Sequence, residues 1–272
     1  MPWIPQGLRE GIVTSRYPRR PDGYGHGFSG SVSIRDPDPS AEAVDDARAA
    51  CPTGAISRQG DRISLDRGRC ILCGRCVAIH PDVFGLEANV ETSTTDRRLL
   101  EIPQLDETAQ NLAAARQALH RRVRALRRSV HIRHVDGGSD GSEEWEIAAL
   151  TNPVYDVQRL GIFFTASPKH ADLLLVTGVG TAGMVEALRH TYEVMPHPKA
   201  VIAAGTDAIS GGLLGSNYAN AGGVVGLLPI DVFVPGSPPT PFGLLHGILT
   251  AVGLLGADGP TSPEDPPREV GP

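Results

Sequence analysis

Apolar and polar positions follow two different textures along this chain, and the change falls near residue 131. Before it the signals are short. Ser31 to Arg35 alternates with the two-residue period of a strand, and Asp36-Pro-Asp-Pro then breaks the pattern. Ser40 follows as a good N-cap for an Ala-rich helix over 41–50. Ala55-Ile-Ser and Arg62-Ile-Ser-Leu flank Gln59-Gly60-Asp61, a hairpin signature. Residues 105–130 read as one long helix, because Leu112, Leu119, Val123, Leu126 and Val130 form a stripe at spacings of seven, four, three and four.

After residue 131 the apolar positions gather into continuous runs: Ile162-Phe-Phe-Thr, Asp172-Leu-Leu-Leu-Val-Thr, Ala200-Val-Ile-Ala-Ala and Ile230-Asp-Val-Phe-Val. Runs of that length without alternation predict parallel strands buried on both faces. Helical segments lie between several of them, including Thr181 to Tyr192, and Phe242 to Leu255 closes the set. This alternation predicts an α/β domain with a flavodoxin-like parallel sheet. The strands run into Gly- or Pro-rich loops, Gly178-Val-Gly180, Gly205-Thr-Asp207 and Pro235-Gly236-Ser237-Pro-Pro. In such sheets the loops at the carboxyl ends of the strands build the site. Gly178-Val-Gly180 before a helix is a weak phosphate-cradle signal, and no nucleophile–base arrangement stands out, so no catalytic residue is assigned.

Length and charge narrow the picture. A chain of 272 residues allows one or two domains, and a formal charge of −6 speaks against a nucleic-acid partner. No apolar run reaches the roughly 18 residues of a membrane span. Residues 1–30 form an arm whose Trp3, Ile4, Leu8, Ile12 and Val13 make a short apolar face, suited to a membrane surface, a partner or its own domain. Arg116, Arg121, Arg122, Arg124, Arg127 and Arg128 cover the other faces of the long helix, as a solvated surface or a grip on an acidic partner. The Pro- and acid-rich stretch 257–272 reads as a disordered tail.

The chemistry is concentrated in the cysteines. Cys70-Ile-Leu-Cys73-Gly-Arg-Cys76 and the distant Cys51-Pro52 use all four cysteines of the chain. Three thiolates at C-x-x-C-x-x-C spacing plus a remote Cys-Pro is the wiring of a bacterial-type ferredoxin, in which each triplet borrows its fourth ligand from the other half. Counting back from Cys51 by the same spacing lands on Ala41, Val44 and Ala47, and counting forward from Cys76 lands on His80-Pro81. One complete ligand set is kept and the other is erased together. The reading is therefore one 4Fe–4S cluster on Cys51, Cys70, Cys73 and Cys76, in a ferredoxin-like α+β module over 31–95, with His80 a loop or capping residue. Zinc sites usually pair two C-x-x-C knuckles, and a disulfide framework suits a short secreted chain, whereas no signal peptide is seen here. A thiolate-bound cluster implies a reducing compartment.

The second half carries a resemblance. His131-Ile-Arg-His134-Val-Asp136-Gly-Gly-Ser139, Ala149-Leu-Thr-Asn-Pro153-Val-Tyr155-Asp156, Ala166-Ser-Pro168-Lys-His170-Ala-Asp172 and Pro235-Gly-Ser-Pro-Pro239 resemble the small cluster-bearing subunit shared by complex I, membrane-bound nickel–iron hydrogenases and formate hydrogenlyase. The front half resembles the ferredoxin-like subunit of the same complexes, so the chain looks like a fusion of the two. The resemblance implies that the 131–256 domain would hold a further 4Fe–4S cluster at its strand-end loops. The positions that would carry those cysteines are Asp140, Glu143, Asp207 and Ser237, so that cluster is expected to be lost. Three carboxylates and a hydroxyl could take a hard cation such as magnesium or calcium, and a hydrated polar pocket is the favoured alternative.

The resemblance further implies an iron–sulfur electron-transfer subunit of a complex-I-like or hydrogenase-like oxidoreductase with no catalytic site of its own. Its expected partners are a large hydrogenase-like or complex-I-like subunit and membrane subunits. Its expected place is peripheral, on the cytoplasmic face of the cell membrane. A non-redox scaffold joining a large subunit to a membrane arm, and a stand-alone ferredoxin, are the alternatives.

Overall fold

A computed structural model describes residues 3–20, 23–59, 62–103, 114, 117–123, 126 and 129–255. The tail over 257–272 and most of the stretch 105–128 lie outside the described residues. Helix α1 (Trp3–Glu10) buries none of its side chains. Strand β1 (Ser31–Ile34) pairs antiparallel with β4 (Phe84–Glu87). A second antiparallel sheet joins β2 (Ile56–Gln59), β3 (Arg62–Asp66) and β5 (Glu101–Ile102). Helix α2 (Ala41–Ala50) starts where the cap predicts: Ser40 Oγ accepts from the Ala43 amide at 3.2 Å. Its buried face, Ala43, Val44 and Ala47, completes a small core with Val32, Ile56, Ile63, Leu65 and Phe84. Two of the three positions where a first ligand triplet would stand, Val44 and Ala47, are therefore packing residues. Helix α3 (Arg75–Ile79) takes in Cys76, the last cysteine of the triplet, and His80 caps it with its amide on the Cys76 carbonyl, as expected.

The second half is a five-stranded, all-parallel sheet. It contains β6 (Val130–Asp136), β7 (Ile162–Phe164), β8 (Leu173–Thr177), β9 (Ala200–Ala204) and β10 (Val232–Val234), in spatial order β7-β6-β8-β9-β10. The chain enters at β6, steps outward once to β7, then crosses back and builds away on the other side. Successive side chains of a strand point to opposite faces. Leu173 and Leu175 accordingly join one core with Phe242 and Leu244 of helix α8 (Pro241–Ala251), while Leu174 and Val176 join another with Leu188 of α6 (Val185–Val194). Both faces of the sheet are thus covered, which is why its strands read as continuous apolar runs.

Two elements differ from the sequence reading. Val130 belongs to the interior strand β6, not to the helical stripe, and the helix that precedes it, α4, is described at residue 114 and over 117–123. Leu119, Val123, Leu126 and Val130 are all buried in one core, so the stripe is real while its last member sits in a strand. β6 escaped notice because His131, Arg133 and His134 interrupt its apolar positions. β7 is an edge strand, and only Ile162 of its three residues is buried; Phe163 and Phe164 face outward.

The two halves are bonded to each other. Thr94 and Phe233 exchange two backbone hydrogen bonds of 3.0 and 2.8 Å along the outer edge of β10. Ser93 Oγ pairs with His246 Nδ1 in the interior. Phe242 receives Tyr17, Phe28 and Tyr155 edge-on, with ring centroids 5.7, 6.2 and 4.9 Å away.

Candidate metal centre

Cys70 and Cys73 lie between β3 and α3, Cys76 lies in the first turn of α3, and Cys51 is the residue at which α2 ends. Two positive-φ residues wrap the triplet, Leu72 at φ 55° and Gly74 at φ 71°. This left-handed geometry is easy for glycine and costly for leucine, so Leu72 marks a backbone held by its surroundings. The turn brings Cys51, Cys70, Cys73 and Cys76 to the wall of one cavity of about 340 Å³, open at its mouth, with Val32, Ala55, Ile56 and Leu65 as its apolar floor. All four thiols are free.

The donor set fits an iron–sulfur cluster. The four thiols line the wall of one cavity, and among the described residues no group of three or more His, Cys, Asp or Glu could hold a single metal ion. Zinc needs sulfurs about 2.3 Å from one centre. Backbone amides aim at the sulfurs: Ala55 N–H donates to Cys51 Sγ at 3.3 Å, Leu72 N–H to Cys70, and Val77 N–H to Cys76. Such hydrogen bonds stabilise cluster-bound thiolates and tune their potential. Burial first, then the neighbouring Cys76, Cys51 and Cys73, pushes the Cys70 thiol up to about 11, and burial also raises Cys76. Four thiolates in so dry a cavity need the positive charge of a bound metal group to coexist.

The sequence did not reveal what stands behind the cavity. Thr206 Oγ1 donates to the Cys70 carbonyl at 3.1 Å, 136 residues away in the chain. Cys70 and Leu72 also share a smaller cavity with Pro235 and Gly236. The cysteine loop therefore packs directly on the loops that follow β9 and β10. No local pattern encodes a contact of such separation.

Those strand-end loops bring three of the four predicted residues into one electrostatic group. Asp140 is exposed and held by Ser142, whose amide and hydroxyl donate at 2.9 and 2.6 Å, which lowers its pKa. Glu143 opens α5 (Ser142–Ala149) and is 1% exposed. Burial, with the charges of Asp207 and Asp140, pushes it up to about 7. Asp207 lies in the first turn of α7 (Thr206–Ser210) and is raised by burial and by Asp140. Ser237 joins none of them by a hydrogen bond among the described residues. Among the described residues these carboxylates form no group of three or more that could hold a metal ion.

A part-buried network lies beside them, and no local pattern announces it. Glu144 accepts from Thr177 Oγ1 at 2.6 Å and from Ser139 Oγ at 2.7 Å, and His134 Nε2 lies 3.0 Å from Thr177 Oγ1. Burial holds the His134 pKa low, against the pull of Glu144.

Glu143 gives a pH prediction. Its folded pKa is raised above the usual carboxylate value, so the native state binds the proton more tightly than the unfolded chain. Its stability contribution is complete below about 4.5 and is lost as pH rises to about 7. Glu143→Gln is therefore expected to raise the melting temperature at pH 8, by a few degrees for about 2 kcal/mol, and to leave it unchanged near pH 4.5. Thermal melts of both proteins at the two pH values check this.

An iron–sulfur loop seated on a parallel α/β sheet defines an oxidoreductase-subunit class, and comparison with known proteins agrees. The family described as NADH ubiquinone oxidoreductase, 20 Kd subunit, matches residues 141–251, and a 4Fe–4S single cluster domain matches residues 63–118. The latter stretch holds Cys70, Cys73 and Cys76; Cys51 lies outside it and reaches the cavity through the fold. Formate hydrogenlyase subunit 7 of Escherichia coli is 37% identical over 152 residues, covering 54% of this chain and 60% of that protein. A probable membrane-bound hydrogenase subunit of Pyrococcus furiosus is 38% identical over 144 residues, covering 52% of this chain and 86% of that protein. Among solved structures, that of a membrane-bound sulfane sulfur reductase, an archaeal respiratory membrane complex, is 30% identical with a TM-score of 0.43, covering 48% of this chain and 73% of that one. The chain belongs to the NADH ubiquinone oxidoreductase 20 Kd subunit family.

Proposed function

We propose that the chain is an electron-transfer subunit of a membrane-associated, complex-I-like or hydrogenase-like oxidoreductase. In this reading it holds one 4Fe–4S cluster on Cys51, Cys70, Cys73 and Cys76. The observation that carries the proposal is the convergence of cysteines from two distant stretches on one cavity whose wall is bonded to the strand-end loops. Bound there, the cluster would supply one-electron transfer. Cys73 is exposed and opens the site toward solvent or a partner, while Cys70 faces the α/β loops.

The working division of the chain is an arm over 1–30, a ferredoxin-like module over 31–95, a linker helix over 105–130, a flavodoxin-like domain over 131–256 and a tail over 257–272. Numbered within its domain, the sheet runs 2-1-3-4-5, the doubly wound flavodoxin order, which supports that name. The second cluster of the family is lost in this reading, because its positions carry Asp140, Glu143, Asp207 and Ser237.

The partners are a large hydrogenase-like or complex-I-like subunit and membrane subunits, reached from the cytoplasmic face. The names of the relatives support this, and no helix among the described residues is long and apolar enough to cross a membrane by itself. The docking face is the emptied one. Trp145, on the helix α5 that carries Glu143, and Leu213, Leu214 and Tyr218, in the stretch after the helix α7 that carries Asp207, are between 63% and fully exposed. Of the Arg-rich helix, Arg122 is already paired with Asp231 within the chain, so the weight falls on the apolar face.

Tagged protein drawn from mild-detergent extracts of its own cells is expected to bring down a large subunit and at least one membrane protein. Leu213→Asp with Leu214→Asp is expected to cut that recovery at least about tenfold, the effect of some 1.4 kcal/mol of lost binding. Recovery of monomer alone would favour the stand-alone ferredoxin. The carboxylates at the strand-end loops favour a second reading, the non-redox scaffold. A captured complex whose cluster cannot be reduced or reoxidised by its partners would support it.

A further inference from the structure

Glu143 is the most unusual polar group among the described residues. It is 1% exposed, and its Oε1 has no hydrogen-bond partner. Its Oε2 lies 3.2 Å from Ser142 Oγ, but that hydroxyl also lies 2.6 Å from Asp140 Oδ1 and has one proton to give. The charges that face it are of its own sign: Asp140 from the preceding loop and Asp207 from the start of α7. Glu144 and His134, the neighbours on α5 and β6, are engaged with Thr177 and Ser139. A buried carboxylate with so little support exists most cheaply as the neutral acid.

Its position gives that proton a use. The carboxylate lies flat on Gly205, where any Cβ would stand 2.4 Å from Oε1. Gly205 is followed by Thr206, whose hydroxyl donates to the Cys70 carbonyl. Two residues, Gly205 and Thr206, and one hydrogen bond therefore separate Glu143 from the cluster loop, through packed protein. Charges within such a medium are weakly screened, so a charge change at the cysteines is felt at Glu143.

We propose that Glu143 is a redox-linked proton site: it takes up one proton when the cluster held by Cys51, Cys70, Cys73 and Cys76 gains one electron, and releases it when the electron leaves. This rests on the electron-transfer reading above. The electron comes from a low-potential one-electron donor and the proton from solvent, so the charge of the pair is unchanged by the step. The strand-end loops that would carry a second cluster in the resembled family would here compensate the charge of the first.

The test is a potentiometric titration of the full chain, with the cluster followed by electron paramagnetic resonance between pH 5.5 and 9 and dithionite as the donor. The midpoint potential is expected to fall as pH rises, by up to about 59 mV per unit, the one-electron equivalent of a tenfold change in proton activity. Glu143→Gln, equal in shape and unable to ionise, is expected to give a flat profile, whereas the exposed Asp140→Asn keeps the slope. The redox-difference infrared spectrum of the wild type should also contain a protonated carboxyl band that appears on reduction. A flat wild-type profile, or a slope that survives in Glu143→Gln, overturns the proposal while the cluster signal remains. Absence of any cluster signal overturns the electron-transfer reading first, and this proposal with it.

Discussion

Anaerobic reconstitution of the full chain is expected to give about four iron and about four sulfide per molecule, as a single cubane requires. Changing any one of Cys51, Cys70, Cys73 or Cys76 to alanine should abolish the visible absorption. The four line one cavity, so each removal leaves an open corner rather than a site with a spare ligand. The cost extends to the fold. Cys51, Cys70 and Cys76 are partly buried against the core of Val32, Val44, Ile56, Leu65 and Phe84, so the cluster would fill the centre of the smaller half. Binding energy spent there is folding energy. Cys70→Ala is expected to melt at least about 10 °C lower, several kcal/mol at about 2–4 °C each. Values near eight iron, or stoichiometric zinc, would refute the single-cluster reading.

What could be read from sequence was whatever is written locally. The Ser40 cap fixed the start of α2, and the hairpin signature was met by β2 and β3, which pair antiparallel. The run Ala200-Val-Ile-Ala-Ala became β9 to the residue, because a strand buried on both faces needs no polar positions. β6 was hidden for the opposite reason. It is an interior strand of the sheet, yet His131 lies near its start, Arg133 at its midpoint and His134 in the polar network, and its residue Val130 fell into phase with the helix before it.

The site divides in the same way. The cysteines were legible because ligand spacing is a local property. The Thr206–Cys70 bond was not, since it depends on how two units dock. Glu143 sits in Ser142-Glu-Glu-Trp-Glu, a run that reads as solvated. In the fold Glu143 packs against Gly205 and Glu144 bonds to Thr177 and Ser139, contacts that no local pattern encodes.

Phe242→Ala is expected to be the most damaging single apolar change in the larger half. Thr240 Oγ1 accepts from the Gly243 amide at 3.0 Å and Pro241 opens α8, so Phe242 is fixed in the first helical turn. It is 2% exposed and is the shared partner of three rings, those of Tyr17, Phe28 and Tyr155. Two of them belong to the first 30 residues, so this one side chain ties the arm to the α/β core. Truncating a buried phenylalanine costs about 3–5 kcal/mol, and each edge-to-face pair adds about 0.5–1.5 kcal/mol to simple burial. A drop of roughly 10 °C or more in the melting temperature is expected at this chain length. Phe164→Ala, on the exposed edge of β7, should change it by a degree or two. A double-mutant cycle with Tyr155→Ala should return a coupling of about 1 kcal/mol, since the two rings are in contact. If Phe242→Ala melts within a degree or two of the wild type, the arm is not held through this residue and the docking of the two halves must rest on the Thr94–Phe233, Ser93–His246 and Thr206–Cys70 bonds.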